Sequence, residues 1–413
     1  MNLSAITLDE AINKTLQNNP VAHSATLRHE SAIEENKNVT SALYPRIDIN
    51  AAYYPTKTYV LPVNGAFSTK QNDGFHADIT GVYSLWDASR TQNRIHAASS
   101  AQDGVFFKKK LTQSELIEQV WVRYYAIAYT DALIVTSQSS VKFYEGEYQQ
   151  ALNMRKNGLK TEADELRFKA SLMEANDRLE WAKNEYNKEQ LSLSILIGSD
   201  EAISIRKNDL DEKANTIIPK KQTLESLRQE LRNSNPLLKA LQALALQNKL
   251  ISDATSAQRY GEVMLVGSAG YDNSLSSYNS YQAGIAGSIP LYDGGKLSSE
   301  AQKSRIAYAI AHKEYENTEQ ELWQVLYGAY KDLHHTNETI KTKEDVIVAT
   351  RKTVALFEER YKQGLSTYID VLESQNTLDN AYASLAEAKY QKIRAYALMQ
   401  KLLNQGCDND VCK

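Results

Sequence analysis

Apolar positions recur at seven-residue spacing along two long stretches of the chain: Leu116, Val120, Ile127, Ile134, Val141 and Tyr148 in the first, Leu322, Leu326, Leu333, Ile340, Ile347 and Val354 in the second. The stripes are offset by 206 residues, and the turns that follow keep the offset: Gly158-Leu159 with Asp164, then Gly364-Leu365 with Asp370. A seven-residue apolar repeat predicts helices that pair knobs into holes with a left-handed supercoil. Self-similarity at a fixed distance predicts a tandem of one structural unit. Prolines occur only at 20, 45, 55, 62, 219, 236 and 290, which leaves 63–218 and 291–413 free for long helices. The stretches 87–157 and 293–363 would each extend roughly 105 Å if helical throughout.

Each copy opens with a short helix. Thr7 followed by Glu10 fits a capping box, and the helix stops at Asn18-Asn19-Pro20; Thr223, Leu224 and Glu225 open the counterpart, which stops at Asn235-Pro236. Second helices follow at 21–43 and 237–259, ending at Tyr44 and Tyr260. The period then changes to two. Ile47, Ile49, Ala51 and Tyr53 alternate with polar neighbours, a loop with Pro55, Pro62 and Gly65 follows, and Phe75, Ala77, Ile79, Gly81 and Tyr83 alternate again. In the second copy Val263 to Tyr271 and Tyr281 to Ile289 do the same. Two hairpins, about 46–83 and 262–289, are therefore expected, each apolar on one face.

Each of these strands is predicted to run about nine to eleven residues, the length that crosses a tilted bilayer path. Aromatic residues stand at or near the ends of all four: Tyr44, Tyr53, Phe75, Tyr83, Trp86, Tyr260, Tyr271, Tyr281 and Tyr292. Such a girdle marks a transmembrane β-barrel. Four strands cannot close a barrel, which needs about eight, so an oligomer must supply the rest.

Composition narrows the function. A net charge of -4 without a concentrated basic stripe argues against nucleic acid as a partner. The seven histidines, among them the adjacent His334-His335, form no ligand spacing with carboxylates or cysteines, and no phosphate loop or nucleophile motif is present. Neither an enzyme nor a cofactor or metal protein is expected. Cys407 and Cys412, in the polar tail 405–413, leave a disulfide loop and an unpaired tail equally open. The opening Met1-Asn2-Leu3-Ser4 shows no leader, so a secretory leader is either absent or removed before the numbering. No run of 18 apolar residues offers a transmembrane helix.

The order helix, helix, hairpin, very long helix, glycine turn, helix, met twice, resembles the TolC-like outer-membrane efflux proteins, the outer membrane factors. The most specific matches are Ile289-Pro290-Leu291-Tyr292-Asp293-Gly294-Gly295, with its looser counterpart Tyr83-Ser84-Leu85-Trp86-Asp87, and the turn Gly364 to Leu372. The resemblance implies a mainly α fold with a small β part: a homotrimer whose 12-stranded transmembrane β-barrel continues as a 12-helix periplasmic α-barrel. The repeats would be 1–198 and 223–404, with a linker or side element at 199–222.

It further implies a passive exit duct for efflux or type I secretion, in the outer membrane of a Gram-negative bacterium, docked to a periplasmic adaptor and an inner-membrane transporter. Asp370 and Glu373, on one helix face at i and i+3, match the family's aperture carboxylates; three copies would form an acidic ring whose mutual repulsion raises their pKa values. Tyr361 and Asp164 match a latch between neighbouring tips, incomplete because Ser366 stands where a basic residue is expected. Gly158, Leu159, Gly364, Leu365 and Ser366 would dock the adaptor. A structural or adhesive coiled-coil protein is the alternative; it explains the heptads but not the hairpins. The cargo, whether drug, metal ion or secreted protein, is not written in the sequence.

Overall fold

The computed structural model describes residues 5–199, 203–206, 209–219, 221–273 and 276–405. Met1 to Ser4 and both cysteines lie outside them. The described elements are α1 (Leu8–Asn18), α2 (Pro20–Thr40), β1 (Arg46–Val63), β2 (Ala66–Trp86), α3 (Arg90–Lys156), α4 (Glu162–Ile197), α5 (Asp209–Thr216), α6 (Leu224–Ser234), α7 (Pro236–Ala257), β3 (Glu262–Asp272), β4 (Tyr278–Ser288), α8 (Lys296–Lys362) and α9 (Tyr368–Leu402). α3 and α8 have 67 residues each. The fold is thus mainly helical with one small sheet. No helix among the described residues is long and apolar enough to cross a membrane.

Side chains fix the helix ends. Thr7 and Glu10 exchange both bonds of a capping box on α1, and the same box recurs as Thr161 with Asp164 on α4 and Thr367 with Asp370 on α9. Asp87 accepts from the Thr91 amide at 2.7 Å, and Asp293 from the Leu297 amide at 2.7 Å, so the aspartates of the two matching strand-to-helix motifs bind the first free amides of α3 and α8. Asn19 and Asn235, which end short helices, also reach across to other helix ends. Asn19 Nδ2 donates to the Leu196 carbonyl at 3.0 Å and Asn235 Nδ2 to the Leu402 carbonyl at 2.9 Å, satisfying terminal acceptors of α4 and α9.

The chain divides into two compact units. The first comprises Met1–Thr26, Lys108–Pro236 and Thr318–Lys413. Its core gathers Tyr124, Ile127, Leu193, Ile197, Leu210 and Ile393, and each such buried aliphatic side chain contributes roughly 2 kcal/mol. The heptad row of α8 is half-buried at its first member, Leu322, and buried from Leu326 through Leu333, Ile340 and Ile347 to Val354.

In α3 the stripe behaves differently. Leu116, Val120 and Ile127 are buried, but further on the covered row is Leu133, Ser140 and Glu147, one residue before the expected Ile134, Val141 and Tyr148, which are half-buried. The cause is that α3 packs against two helices: Arg123 pairs with Glu189 of α4 at 3.1 Å, while the Tyr144 hydroxyl donates to Asn376 of α9 and Tyr129 stacks on Tyr390.

Within the expected side element, 199–222, α5 is held against α9. Lys389 Nζ donates to Asp211 Oδ1 at 2.9 Å, and Lys392 Nζ to the Ala214 carbonyl at 2.7 Å and Asn337 Oδ1 at 2.8 Å. Tyr124 bonds Asp209 at the other end of α5.

The second unit comprises Leu27–Phe107 and Leu237–Asn317 and holds the sheet. The strands lie in the order β1-β2-β3-β4, all antiparallel, and among the described residues one edge of β1 and one of β4 pair with no other strand. β3 and β4 have 11 residues each, as expected, but β1 has 18 and β2 has 21. The segment read as a proline-containing loop is instead a continuation of the hairpin, paired from Lys57↔Asn72 to Val63↔Ala66. A two-residue turn at Asn64 (φ 53) and Gly65 (φ 82) closes it with the twist that hairpins favour. A bulge between Tyr54 and Lys57 absorbs Pro55, which has no amide to give the ladder.

Candidate functional site

In the second unit the sheet has two chemically distinct faces. One carries Ile47, Ile49, Tyr53, Phe75, Ile79, Leu265, Tyr281 and Ile285, all exposed. The other carries Asp48, Asn50, His76, Asp78, Thr80 and Asp272, tied together by Asn50 Nδ2 to Asp78 at 3.2 Å and by His76 between Asp78 (2.9 Å) and Asp272 (3.4 Å). The expected girdle residues fall into rows on the apolar face. Tyr53 stands opposite Phe75, Tyr271 opposite Ala77 and Tyr281 opposite Ala269, with the Phe75 and Tyr271 rings 6.4 Å apart. Toward the other strand ends Tyr83 opposes Leu265. A bulge after Ser84 then turns Trp86 onto the same face, opposite Val263. Tyr44 and Tyr260 precede their strands, and Tyr292 lies beyond the end of β4, almost fully exposed.

In the first unit two helix tips share one construction. α3 ends at Gly158 (φ 73), whose amide donates to the Arg155 carbonyl at 2.9 Å while the Leu159 amide reaches Met154 at 2.9 Å; α8 ends likewise at Gly364 (φ 77), with bonds to Tyr361 at 3.0 Å and from Leu365 to Arg360 at 2.8 Å. This is the paired 5→2 and 6→1 bonding that a left-handed residue allows. It leaves Leu159 and Leu365 exposed at the turns. Ser366 turns inward, its hydroxyl donating to the Phe357 carbonyl at 3.2 Å.

Behind the turns Ala151, Phe168, Tyr361 and Val371 form a small core. The Tyr361 ring meets Phe168 edge-on at 5.9 Å, and Lys160 sits 4.2 Å above it. Tyr361 and Asp164, expected as a latch, are brought near but not bonded: among the described residues the buried Tyr361 hydroxyl has no partner, while Asp164 Oδ2 accepts from the Thr161 amide at 3.0 Å and hydroxyl at 2.9 Å. Burial, then the charges of Asp164 and Glu147, push the Tyr361 phenol up to about 12.

Asp370 and Glu373 open together on a cavity of about 210 Å³ shared with the hydroxyls of Thr350, Thr353 and Thr377. Asp370 is also the capping acid of α9. Bonds from the Thr367 amide (2.7 Å) and hydroxyl (2.8 Å) hold its carboxyl below the ordinary range, opposite to the rise expected of a carboxylate ring. In the single chain the helix cap decides the direction. The sequence reading missed that each tip aspartate is a capping acid, although the Thr-x-x-Asp spacing at 161–164 and 367–370 is its signal.

Comparison with known proteins gives a consistent result. Residues 11–199 and 227–405 match the family described as outer membrane efflux protein. The outer membrane protein TolC of Vibrio cholerae is 21% identical, with the match covering 98% of this chain and 92% of that one. TolC of Escherichia coli is 27% identical over a stretch covering 30% of this chain and 25% of that protein. Among solved structures, CusC superposes with a TM-score of 0.86 at 15% identity, covering 97% of this chain and 92% of its own. VceC of Vibrio cholerae gives 0.85 at 17%, covering 96% and 95%. With the family pattern running over both long stretches and the same fold in these channels, the chain belongs to the outer membrane efflux protein family, as a channel of the Gram-negative outer membrane reaching into the periplasm and not an enzyme.

Proposed function

We propose that the chain is the exit duct of a tripartite efflux pump or a type I secretion system, acting as a homotrimer docked to a periplasmic adaptor and an inner-membrane transporter. The observation that carries this reading is the four-stranded sheet with one apolar face and two bare edges. In hydrocarbon each unpaired backbone group costs several kcal/mol, so the sheet needs closure. Three copies joining β4 of one to β1 of the next supply twelve strands, with their apolar faces against lipid and the Asp48, His76 and Asp78 face lining a wet interior. The girdle rows then sit at the lipid headgroups. The two-fold recurrence of helix, hairpin and tip supports a duplicated unit.

At the tips, Gly158, Leu159, Gly364, Leu365 and Ser366 dock the adaptor. Asp370 and Glu373 form the aperture's acidic ring, and Tyr361 holds the tips closed through its ring packing. Sedimentation of the detergent-purified protein is expected to give a trimer. A monodisperse folded monomer in plain buffer would overturn the assembly. Cysteines placed at Leu159 and Leu365 are expected to crosslink to an adaptor in cells, and undiminished crosslinking after both tip glycines are replaced would remove the docking assignment.

A further inference from the structure

The covered row of α3 runs Ala126, Leu133, Ser140 and Glu147 at seven-residue intervals, and that of α8 continues past Val354 to Tyr361. Both rows thus end, beside the tips, on a polar group in a position where heptad packing places an apolar one. Glu147 is 8% exposed and its Oε2 is bonded to nothing among the described residues; Tyr361 is 1% exposed and its hydroxyl is equally bare. Glu147 lies one turn from Ala151 of the small tip core, and Glu358 lies one turn from Tyr361. A buried carboxylate with one oxygen left without a hydrogen-bond partner is costly when charged, and the same group uncharged costs less.

We propose that Glu147 is a proton-operated latch of the helix tips: neutral, it lets α3 and α8 pack together; ionised beside Glu358, it drives them apart. This rests on the duct reading given above and adds its regulation. The charged groups acting on Glu147 are the half-buried Glu358 and the exposed Lys362, both on α8; Glu147 and Asp164 of α4 both act on the Tyr361 phenol. Phe168 of α4 and Val371 of α9 belong to the apolar tip core that begins one turn away, at Ala151. Burial first, then Glu358, raise the Glu147 carboxyl above its ordinary value of 4.5, while Lys362, in solvent, offsets only part of this.

The sign follows from linkage. The closed tip holds the proton more tightly than an open, solvated one, so closing takes up a proton. Closure is strongest below 4.5, weakens as the pH rises from there to the raised closed-state value, and is level above it. Each pH unit between those two values changes the open-to-closed ratio about tenfold. Such a duct tightens in acid and loosens toward neutrality.

The test is single-channel conductance of the full-length protein in planar bilayers across that pH range. Wild type is expected to rise severalfold in mean conductance with pH. Glu147→Gln is expected to stay in the low-conductance state at every pH, and Glu358→Gln to respond at lower pH than wild type. A Glu147→Gln channel with the wild-type response, or a conducting wild type indifferent to pH, overturns the latch while leaving the duct intact. If Glu147→Gln fails to assemble, an unshifted Glu358→Gln response overturns it equally. No conductance from wild type at any pH overturns the duct reading and the latch with it.

Discussion

Glu319 on α8 is gripped by Arg228 of α6 through two parallel hydrogen bonds, Nε to Oε1 at 2.7 Å and Nη2 to Oε2 at 3.0 Å. Arg232, one turn on, adds a third bond at 3.1 Å. The side chain of Glu319 is buried while both arginines are partly in water, so the pair holds α6 in place without the full penalty of a buried charge pair. The Arg228 bond is the chief cause that lowers the Glu319 carboxyl from 4.5. A depressed acid contributes stability above its ordinary value and loses it as the pH falls through the folded one. Glu319→Gln is therefore expected to cost roughly 1–2 kcal/mol near neutral pH. Thermal melts should show this gap closing in acid, and a gap independent of pH would refute the assignment.

Tyr361 separates ring from hydroxyl. Because its hydroxyl is buried and unbonded, Tyr361→Phe is expected to melt at the wild-type temperature or slightly above it. Tyr361→Ala empties the centre of the tip core and is expected to cost roughly 3–5 kcal/mol locally, raising hydrogen exchange across the two turns. A Phe variant as damaged as the Ala variant would show that the hydroxyl finds a partner in the assembled protein.

Lys392 is nearly fully buried and satisfies two acceptors, the Ala214 carbonyl and Asn337 Oδ1. Lys392→Met keeps the packing but strands both, at roughly 1–3 kcal/mol. The expected consequence is release of α5, read as faster proteolysis between residues 199 and 222 with the rest of the chain intact.

In the ladders of the described residues, the outer part of the first hairpin, from Lys57↔Asn72 to Val63↔Ala66, lies beyond the last pair of β2 with β3, His76↔Asp272. Excising 57–72 and joining the ends through Asn-Gly is expected to leave trimer yield and heat resistance of the assembled band unchanged. Loss of assembly would show that the outer ribbon takes part in subunit pairing.

Much of this was legible in the chain. The proline-free stretches left room for the long helices, and the expected 87–157 and 293–363 lie within three residues of α3 and α8. The capping box at Thr7 and Glu10 was likewise readable, being a local interaction. The outer ribbon was not: Pro55 and Pro62 signal a loop, and only tertiary pairing shows that a bulge and an edge position accommodate them. In α3 the stripe named Ile134, Val141 and Tyr148, whereas contact with both α4 and α9 covers Leu133, Ser140 and Glu147, which a single-faced heptad cannot anticipate. Tyr361 and Asp164 were named as a latch between neighbouring tips; the structure adds that Thr161, three residues from Asp164, holds its carboxylate as a helix cap.

The two asparagine bridges set an order of maturation. Asn19 needs only Leu196 to find its acceptor, so this one bridge can form within the first half of the chain while its remainder is still being threaded out, N-terminus foremost. Asn235 must wait for Leu402, 167 residues further along. Truncation shortly before that point would therefore yield a molecule with the earlier clasp made and the later one open, which quality control should recognise by the latter.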